Sequence, residues 1–245
     1  MKVIGVIPAR YGSTRFPGKA LALLQGKPLV QWVWEKASHA KTLSRVIMAT
    51  DDARIKKSAE QFGAEVVMTK KNHPSGTDRI AEVVKSLTCD LVVNIQGDEP
   101  FLKSNLIDQA VKFLADNPKF QMSTLCQTLK DKQKIESPNV VKVVLGKKNQ
   151  ALYFSRCPIP FNRDHEERII YYHHIGLYVY RKKTLLELVK LPMSHLEKSE
   201  KLEQLRALEN GYQILVKKVS YTGIGIDTLE DLLKAKRLLR SHLTR

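Results

Sequence analysis

The first half of the chain alternates between short apolar runs and longer segments with helical periodicity. The apolar runs are rich in Val and Ile: KVIGVIP (2–8), RVIMAT (45–50), AEVVMT (64–69) and DLVVNIQ (90–96). Continuous apolar runs are typical of strands buried on both faces of a parallel sheet. The segments between them predict helices: PLVQWVWEKASHA, DARIKKSAEQFG and GTDRIAEVVKSL. This alternation predicts a Rossmann-like, doubly wound α/β fold with a mostly parallel sheet.

The second half is less regular. NVVKVVL and ALYFSR predict a strand pair around the turn GKKNQ, and HHIGLYVY and YQILVKKVSY predict two further strands. KSEKLEQLRALENG predicts one amphipathic helix ending at Gly211, and TLEDLLKAKRLLRSHL predicts a closing helix with Thr228 as its N-cap. No repeat or linker divides the sequence, so we expect residues 1–245 to form a single domain.

The segment after the first predicted strand, IPARYGSTRFPGKAL, carries three cations on a turn rich in Gly and Pro: Arg10, Arg15 and Lys19. Ligands of doubly wound sheets gather at the carboxyl ends of the strands. Glycine-bearing turns leave backbone N–H groups free to bind anions, which predicts a polyanion site here. The segment is not a P-loop, because Ser13 stands where that motif has glycine and Ala20 replaces its Ser or Thr.

Two acids follow apolar segments in the same way. Asp98 lies in NIQGDEP after the fourth predicted strand, and Asp227 ends GIGID. Magnesium takes hard oxygen ligands and few protein carboxylates, which leaves room for substrate phosphates. Either acid alone is more typical of a turn or an N-cap. Together with the cationic turn, they predict metal-assisted phosphoryl chemistry.

Other polar segments are less specific. Ser75 to Arg79 in HPSGTDR fit an ordinary capping box as well as a binding turn. In HHIGLYVY, strand alternation directs only one of His173 and His174 inward, and a lone His is more often structural than catalytic. No Ser–His–Asp arrangement and no cysteine nucleophile is evident.

Charge and composition narrow the class of partner. The net charge is +16, but the basic residues occur mainly as scattered Lys pairs without interleaved aromatics, so we expect no nucleic-acid partner. No apolar stretch is long enough for a membrane span, and the first apolar run is too short for a signal peptide. Three distant cysteines indicate a reducing compartment, so the cytoplasm is the expected location.

A set of ordered segments covers nearly the whole chain: IPARYGSTRFPGKAL, HPSGTDR, NIQGDEP, VKVVLGKKNQALYFSR, HHIGLYVY, LEQLRALENG and GIGIDT. This set resembles the 3-deoxy-manno-octulosonate (Kdo) cytidylyltransferases. The resemblance implies transfer of CMP from CTP to Kdo with Mg²⁺, giving CMP-Kdo and pyrophosphate for lipopolysaccharide biosynthesis. It also implies the nucleotide-diphospho-sugar transferase type of fold, with a smaller lobe roughly within residues 120–200 that supports a homodimer.

The resemblance implies a role for individual residues. The implied catalytic residues are Arg10, Lys19, Asp98 and Asp227, and the two acids would bind the metal. The implied nucleotide-binding residues are Pro8, Ala9, Arg10, Ser13, Arg15, Lys19, Ser75, Gly76 and Arg79. The implied sugar-acid-binding residues are Gln96, Arg156, His174, Glu203 and Gln204, and Arg156 is a natural partner for a carboxylate.

Two alternatives stay open. The same chemistry on a neighbouring acid sugar, such as sialic acid or an amino variant of Kdo, fits the same residues. A non-catalytic nucleotide- or nucleic-acid-binding protein could keep the fold, although such a protein needs neither Asp98 nor Asp227.

Overall fold

A computed structural model of the chain describes residues 1–12, 15–164 and 169–243. It divides into two compact units. The first contains residues 1–108 and 222–245, and the second contains residues 109–221. The lobe expected within residues 120–200 falls in the second unit.

The first unit is built on a parallel sheet. Its strands are β1 (Val3–Ala9), β4 (Arg45–Thr50), β5 (Glu65–Met68) and β6 (Leu91–Asn94), and a small hairpin adds β2 (Leu23–Leu24) and β3 (Lys27–Pro28). The sheet order is β6-β1-β4-β5, with every pairing parallel. Val6 of β1 lies opposite Ile47 on one side and Asn94 on the other. Strands β1 and β6 are almost fully buried, which confirms the prediction made from their continuous apolar runs.

Helices connect the parallel strands of the first unit. They are α1 (Leu29–Ser38), α2 (Ala53–Gln61) and α3 (Gly76–Lys85). The unit also contains the closing helix α9 (Leu229–Leu243), and α4 (Ser104–Ala115) contains the boundary between the units. Asp52 and Ser75 cap α2 and α3 by accepting hydrogen bonds from backbone N–H groups. The predicted cap of α9 is also present, since the Thr228 hydroxyl accepts from the backbone N of Asp231. These caps fix where the helices begin, next to the carboxyl ends of the strands.

The second unit has a mainly antiparallel sheet. Its strands are β7 (Met122–Leu129), β8 (Lys142–Leu145), β9 (Ala151–Ser155), β10 (Tyr171–Arg181) and β11 (Ile214–Lys218). They pair in the order β11-β7-β10-β8-β9, and only β11 with β7 is parallel. The helices are α5 (Lys132–Glu136), α6 (Lys182–Leu188), α7 (His195–Glu200) and α8 (Gln204–Glu209). The predicted pair around GKKNQ is β8 and β9.

One helix prediction in the second unit is wrong. The segment 198–211 is not one helix, because α7 ends at Glu200 and α8 begins at Gln204. Lys201 between them adopts a left-handed conformation with φ of 54°, which no α-helix continues through. Strand β7 and helices α4, α5 and α6 were not predicted. None of the helices in the described residues has the length and apolarity needed to cross a bilayer.

Candidate active site

A cavity of about 340 Å³ opens in the first unit at the carboxyl ends of β1 and β6. The chain runs outward from β1 to β4 and β5 and then returns to the other side of β1 as β6. This reversal of strand order creates the crevice in which ligands of open α/β sheets bind. The predicted site residues that line it are Pro8, Ala9, Arg10, Arg15, Lys19, Ser75, Gly76, Arg79, Gln96, Asp98 and Asp227.

Lys19 joins the two predicted metal ligands. Its Nζ donates to Asp98 Oδ2 at 2.7 Å and to Asp227 Oδ1 at 3.0 Å. Arg15 approaches the other oxygen of Asp227, with 3.2 Å between NH2 and Oδ2. The two carboxylates therefore converge on Lys19, and Asp227 also pairs with Arg15 in the lining of the cavity. Burial lowers the pKa of Lys19, but the attraction of Asp98 and Asp227 outweighs it and raises the pKa above its ordinary value.

Backbone contacts bring these distant segments together. The backbone N of Ile226 donates to the carbonyl oxygen of Asp98 at 2.9 Å, so the residue before Asp227 is bonded to the loop after β6. Ile226 is fully buried and packs with Leu24 and Leu29 and with α9 residues Leu232 and Ala235. The closing helix thus anchors Asp227 beside Asp98 through apolar packing.

Glycines allow the loops to approach closely. A Cβ at Gly97 would lie 3.2 Å from the carbonyl oxygen of Pro8, so only glycine lets the end of β6 lie this near the end of β1. Gly18, directly before Lys19, has φ of +71°, and its N–H donates to the carbonyl oxygen of Tyr11 at 2.9 Å. This bond closes the cationic turn. Ser13 lies outside the described residues.

The opposite wall of the cavity is the start of α3. Ser75 both accepts from the backbone N of Asp78 at 3.2 Å and donates to its carboxylate at 2.6 Å, so this segment is a cap as well as a cavity wall. Arg79 is 3% exposed and forms an ion pair with Asp51 at 3.1 Å, besides a hydrogen bond with Thr69. Its charge is therefore already balanced inside the protein.

His73 also lines the cavity, although the sequence did not predict a role for it. Its Nε2 is hydrogen-bonded to the carboxylate of Glu82 on α3, which also accepts from the backbone N of Lys70. The two residues are nine positions apart, across the helix start, and no motif marks that spacing. Gln96, on the other wall, donates to Asn94 Oδ1 at 3.1 Å, which orients its amide.

The remaining predicted residues lie in the second unit, where they make internal contacts. Arg156 donates from Nε, NH1 and NH2 to the carbonyl oxygens of Glu200, Pro138 and Lys201 at 2.7, 2.8 and 3.4 Å. His174 is 7% exposed. Glu203 and Gln204 begin α8.

His174 lies in the core of the second unit. Its Nε2 and the Thr124 hydroxyl are 2.9 Å apart, and the edge of its ring contacts Phe154. Burial, reinforced by the neighbouring His173, lowers the pKa of His174 to about 3, so the ring is neutral at ordinary pH. In this position the imidazole acts as an uncharged packing and hydrogen-bonding group.

The donor set at Asp98 and Asp227 is compatible with magnesium. Magnesium usually keeps waters and takes one or two protein carboxylates together with substrate phosphates. Both carboxylates already converge on the cation of Lys19. In the described part of the chain, no cluster of three or more His, Cys, Asp and Glu side chains offers a different metal site.

A cavity at the switch point of a parallel sheet, lined by four Lys and Arg side chains and two convergent acids, is the arrangement of a nucleotidyltransferase. The comparisons agree. The family described as Cytidylyltransferase matches residues 4–218. The 3-deoxy-manno-octulosonate cytidylyltransferase of Solibacter usitatus is 50% identical over 99% of this chain and 96% of its own length. The enzyme of the same name from Trichlorobacter lovleyi is 48% identical over 98% of this chain and 99% of its own.

A solved structure agrees over the whole chain. It is that of CMP:2-keto-3-deoxy-manno-octonic acid synthetase complexed with CTP, with 39% identity and a TM-score of 0.94. The similarity covers 99% of this chain and 100% of that one. This chain belongs to the cytidylyltransferase family and, within it, to the 3-deoxy-manno-octulosonate cytidylyltransferases.

Proposed function

We propose that this enzyme transfers CMP from CTP to the anomeric hydroxyl of Kdo and releases pyrophosphate. The observation that carries the proposal is the cavity that brings Arg10, Arg15 and Lys19 together with Asp98 and Asp227. A triphosphate is the polyanion that needs such a set of charges. Relatives that align over nearly the whole chain bear the name of this activity, and the related solved structure holds CTP.

The reaction needs no covalent enzyme intermediate. The anomeric oxygen of Kdo forms a bond to the α-phosphorus of CTP while the bond from that phosphorus to the bridging oxygen of pyrophosphate breaks. The hydroxyl proton leaves to solvent. Positioning and charge neutralisation supply most of the rate in such transfers. Arg10, Arg15 and Lys19 are the groups that balance the phosphate charge.

Magnesium is part of the proposal, and Asp98 and Asp227 would hold it. The ion supplies charge neutralisation for the triphosphate and polarisation of an attacking hydroxyl. Lys19 now lies between the two carboxylates, at 2.7 and 3.0 Å. The ammonium must therefore share these oxygens or turn toward the phosphates when the site is loaded.

Roles in binding the sugar acid are proposed for Gln96 in the first unit and for Arg156, His174, Glu203 and Gln204 in the second. Support for Arg156 comes from the number of its hydrogen-bond donors. Its side chain has five N–H groups, and three of them donate to the carbonyl oxygens described above. Donors remain for a carboxylate. The neutral state of His174 fits a hydrogen-bonding rather than a charge-pairing role.

Pyrophosphate release tests the reaction. The purified protein with Mg²⁺ is supplied with CTP or UTP and with Kdo, an amino variant of Kdo or sialic acid. We expect rapid release only with CTP and Kdo. Release with sialic acid or with the amino sugar instead would keep the chemistry and replace the substrate. No release with any acid sugar, from protein shown to be folded, would contradict the proposal. Tight, salt-dependent RNA binding in that case would favour a binding protein.

A homodimer formed through the second unit is also proposed. Phe161 is 83% exposed and Ile170 is 55% exposed, and both line an open cavity of about 1150 Å³ together with Pro158. Apolar side chains this exposed are typical of an interface. Sedimentation velocity should give a dimer, and Phe161→Glu should give a monomer. A monomeric unaltered protein would refute the proposal. We place the reaction in the cytoplasm, supported by three free thiols, as a step of lipopolysaccharide biosynthesis.

A further inference from the structure

The aromatic ring of Tyr11 lies against the guanidinium of Arg54. The Cζ atom of Arg54 is 3.4 Å from the ring centroid, which is a close cation–π stack. The ring also lies against Gly18. A Cβ at Gly18 would lie only 3.1 to 3.2 Å from the Cζ, Cε2 and hydroxyl oxygen of Tyr11. Tyr11 therefore connects Arg54 to the residue that precedes Lys19.

Arg54 is fixed from the other side by Asp52. Its Nε and NH2 donate to the two oxygens of that carboxylate at 3.0 and 2.7 Å. Asp52 in turn caps α2 by accepting from the backbone N of Arg54 at 2.9 Å. These hydrogen bonds lower the pKa of Asp52 to about 2, so the carboxylate stays charged at any working pH. The guanidinium is thus anchored to the start of a helix and not to the turn it contacts.

The turn is also restrained by apolar packing, because Tyr11 and Leu21 contact the buried cluster that contains Ala20, and by its own backbone hydrogen bonds. The Gly18 N–H donates to the carbonyl oxygen of Tyr11, and the Lys19 N–H donates to that of Phe16 at 3.1 Å. Neither Tyr11 nor Arg54 is among the residues that line the cavity. Their contacts therefore restrain the backbone at Tyr11 and Gly18, next to Arg10 and Lys19, without lining the cavity.

We propose that Arg54 is a positioning residue that acts through Tyr11 to hold the cationic turn in its nucleotide-binding shape. The inference rests on the proposed binding of CTP. Asp52 holds Arg54, Arg54 holds the ring of Tyr11, and the ring and carbonyl of Tyr11 hold Gly18, so the position of Lys19 depends on the start of α2. Loss of the stack frees the turn, and CTP binding must then order it again.

A double-mutant cycle tests this chain of contacts. Arg54→Met and Tyr11→Leu should each raise the dissociation constant for CTP about two- to fivefold, the range expected for one cation–π contact. The dissociation constant of the double variant should not exceed that of the single variant that binds CTP more weakly, because both changes break the same contact. Additive losses would overturn the proposal by showing that Arg54 acts on the nucleotide directly. An unchanged affinity in Arg54→Met would overturn it as well.

Steady-state kinetics separate positioning from chemistry. In Arg54→Met the KM for CTP should rise while kcat at saturating CTP stays near that of the unaltered enzyme, and Arg54→Lys should restore part of the loss. A fall in kcat alone would refute the inference. Arg45→Met is the matched control. Arg45 also holds a carboxylate, that of Glu65, through Nε and NH2, but it lies at the opposite end of β4 from the cavity.

Amide hydrogen exchange tests the contact without nucleotide. Residues 9–20 should exchange faster in Arg54→Met and in Tyr11→Leu than in Arg45→Met, while the rest of the chain is unchanged. Equal exchange in all three variants would overturn the inference. This measurement also separates the two proposals. Protein that binds no CTP but shows the exchange difference would contradict the proposed function and keep the positioning role.

Discussion

The cavity of the first unit and the polar interior of the second unit contain the same types of charged residue. In the first unit these side chains line a cavity, whereas in the second unit they are bonded to other parts of the protein. In the first unit, Lys19, Asp98 and Asp227 point from loops into open space at the strand ends. In the second unit, Lys142 is fully buried and donates to the carbonyl oxygens of Ser137, at 2.9 Å, and Arg156. Both regions bury charge, but Lys142 is enclosed by its carbonyl partners, whereas Lys19, Asp98 and Asp227 line a cavity.

The second unit uses its buried charge to fix chain segments to one another. Arg206 and Glu197 form a buried bidentate ion pair with distances of 2.7 and 2.8 Å, which joins α8 to α7. Arg156 joins the end of β9 to Glu200 at the end of α7. The comparison shows that residue type alone does not distinguish a binding group from a structural one. The groups proposed to bind a ligand here are those that line the cavity, as Lys19, Asp98 and Asp227 do.

The largest effect is expected at Asp98. Asp98→Asn removes a partner of Lys19 and a proposed metal ligand, and we expect kcat to fall at least about 100-fold, since such groups contribute several kcal/mol to the transition state. Pyrophosphate release measures the loss, and circular dichroism checks the fold. Asp131→Asn, at the exposed cap of α5, is the control and should keep full activity. Near-normal turnover in Asp98→Asn would show that the first unit's acids are not functional.

In the second unit, the corresponding change should affect stability. Glu197→Gln leaves the Arg206 charge buried without its partner and should lower the free energy of unfolding by about 3 kcal/mol. Glu65→Gln, at the exposed pair with Arg45, should cost less than about 1 kcal/mol. Urea unfolding measures both. Equal losses would mean that burial does not distinguish these ion pairs.

The buried histidines predict a pH dependence of the second unit. Burial lowers the pKa of His173 to about 4 and that of His174 to about 3, below the ordinary 6.5. As pH falls below about 6.5, the unfolded chain binds protons that the folded chain does not. Each group then lowers the free energy of unfolding by about 1.4 kcal/mol per pH unit.

Urea unfolding at about pH 7, 6 and 5, above the range where most carboxylates titrate, should show this loss. In His174→Gln, the decrease in the free energy of unfolding between pH 7 and pH 5 should be only the part due to His173. A free energy of unfolding that stays constant over this range would mean that the two rings are accessible to protons in the folded state.

The smallest effect is expected at Arg15. Its side chain is 62% exposed and its pair with Asp227 spans 3.2 Å. Solvent screens such a charge, so Arg15→Met should raise the KM for CTP only about two- to fivefold. Titration of CTP in the pyrophosphate assay measures the change. A loss of kcat/KM for CTP in Arg15→Met as large as that in Asp98→Asn would show that the exposed Arg15 contributes as much as Asp98.

The sequence was sufficient to predict the parallel strands of the first unit, because they are continuous apolar runs, and Arg10 and Asp98 follow closely after β1 and β6. The prediction that Asp227 also follows a strand is wrong, because residues 219–227 contain no strand. RVIMAT is β4 without a change of boundary. The contact of Lys19 with Asp227 was not predictable, because the two residues are 208 positions apart and the predicted binding role needed no contact between them. His73 was missed because its partner Glu82 is nine positions away and no motif marks that spacing.

The second unit was harder to predict for a physical reason. Strand β7 contains Ser123 and Thr124, both fully buried, whose hydroxyls bond to the carbonyl oxygens of Ala110 and Leu177. Such residues lower the hydrophobicity of a buried strand without exposing it. The break at Lys201 interrupts an apolar pattern that continues on both sides, and it involves no glycine or proline. Tertiary contacts, not local preference, set these features.

The hydrogen bond from Ile226 to Asp98 has a consequence for the order in which the enzyme forms during synthesis. The strands β1, β4, β5 and β6 all lie within the first 108 residues, and a ribosome releases N-terminal segments first. Asp227 and the helix that anchors it emerge only after the whole second unit. The nascent chain can therefore pair β1, β4, β5 and β6 early, but it cannot assemble the paired acids until the second unit has been synthesised.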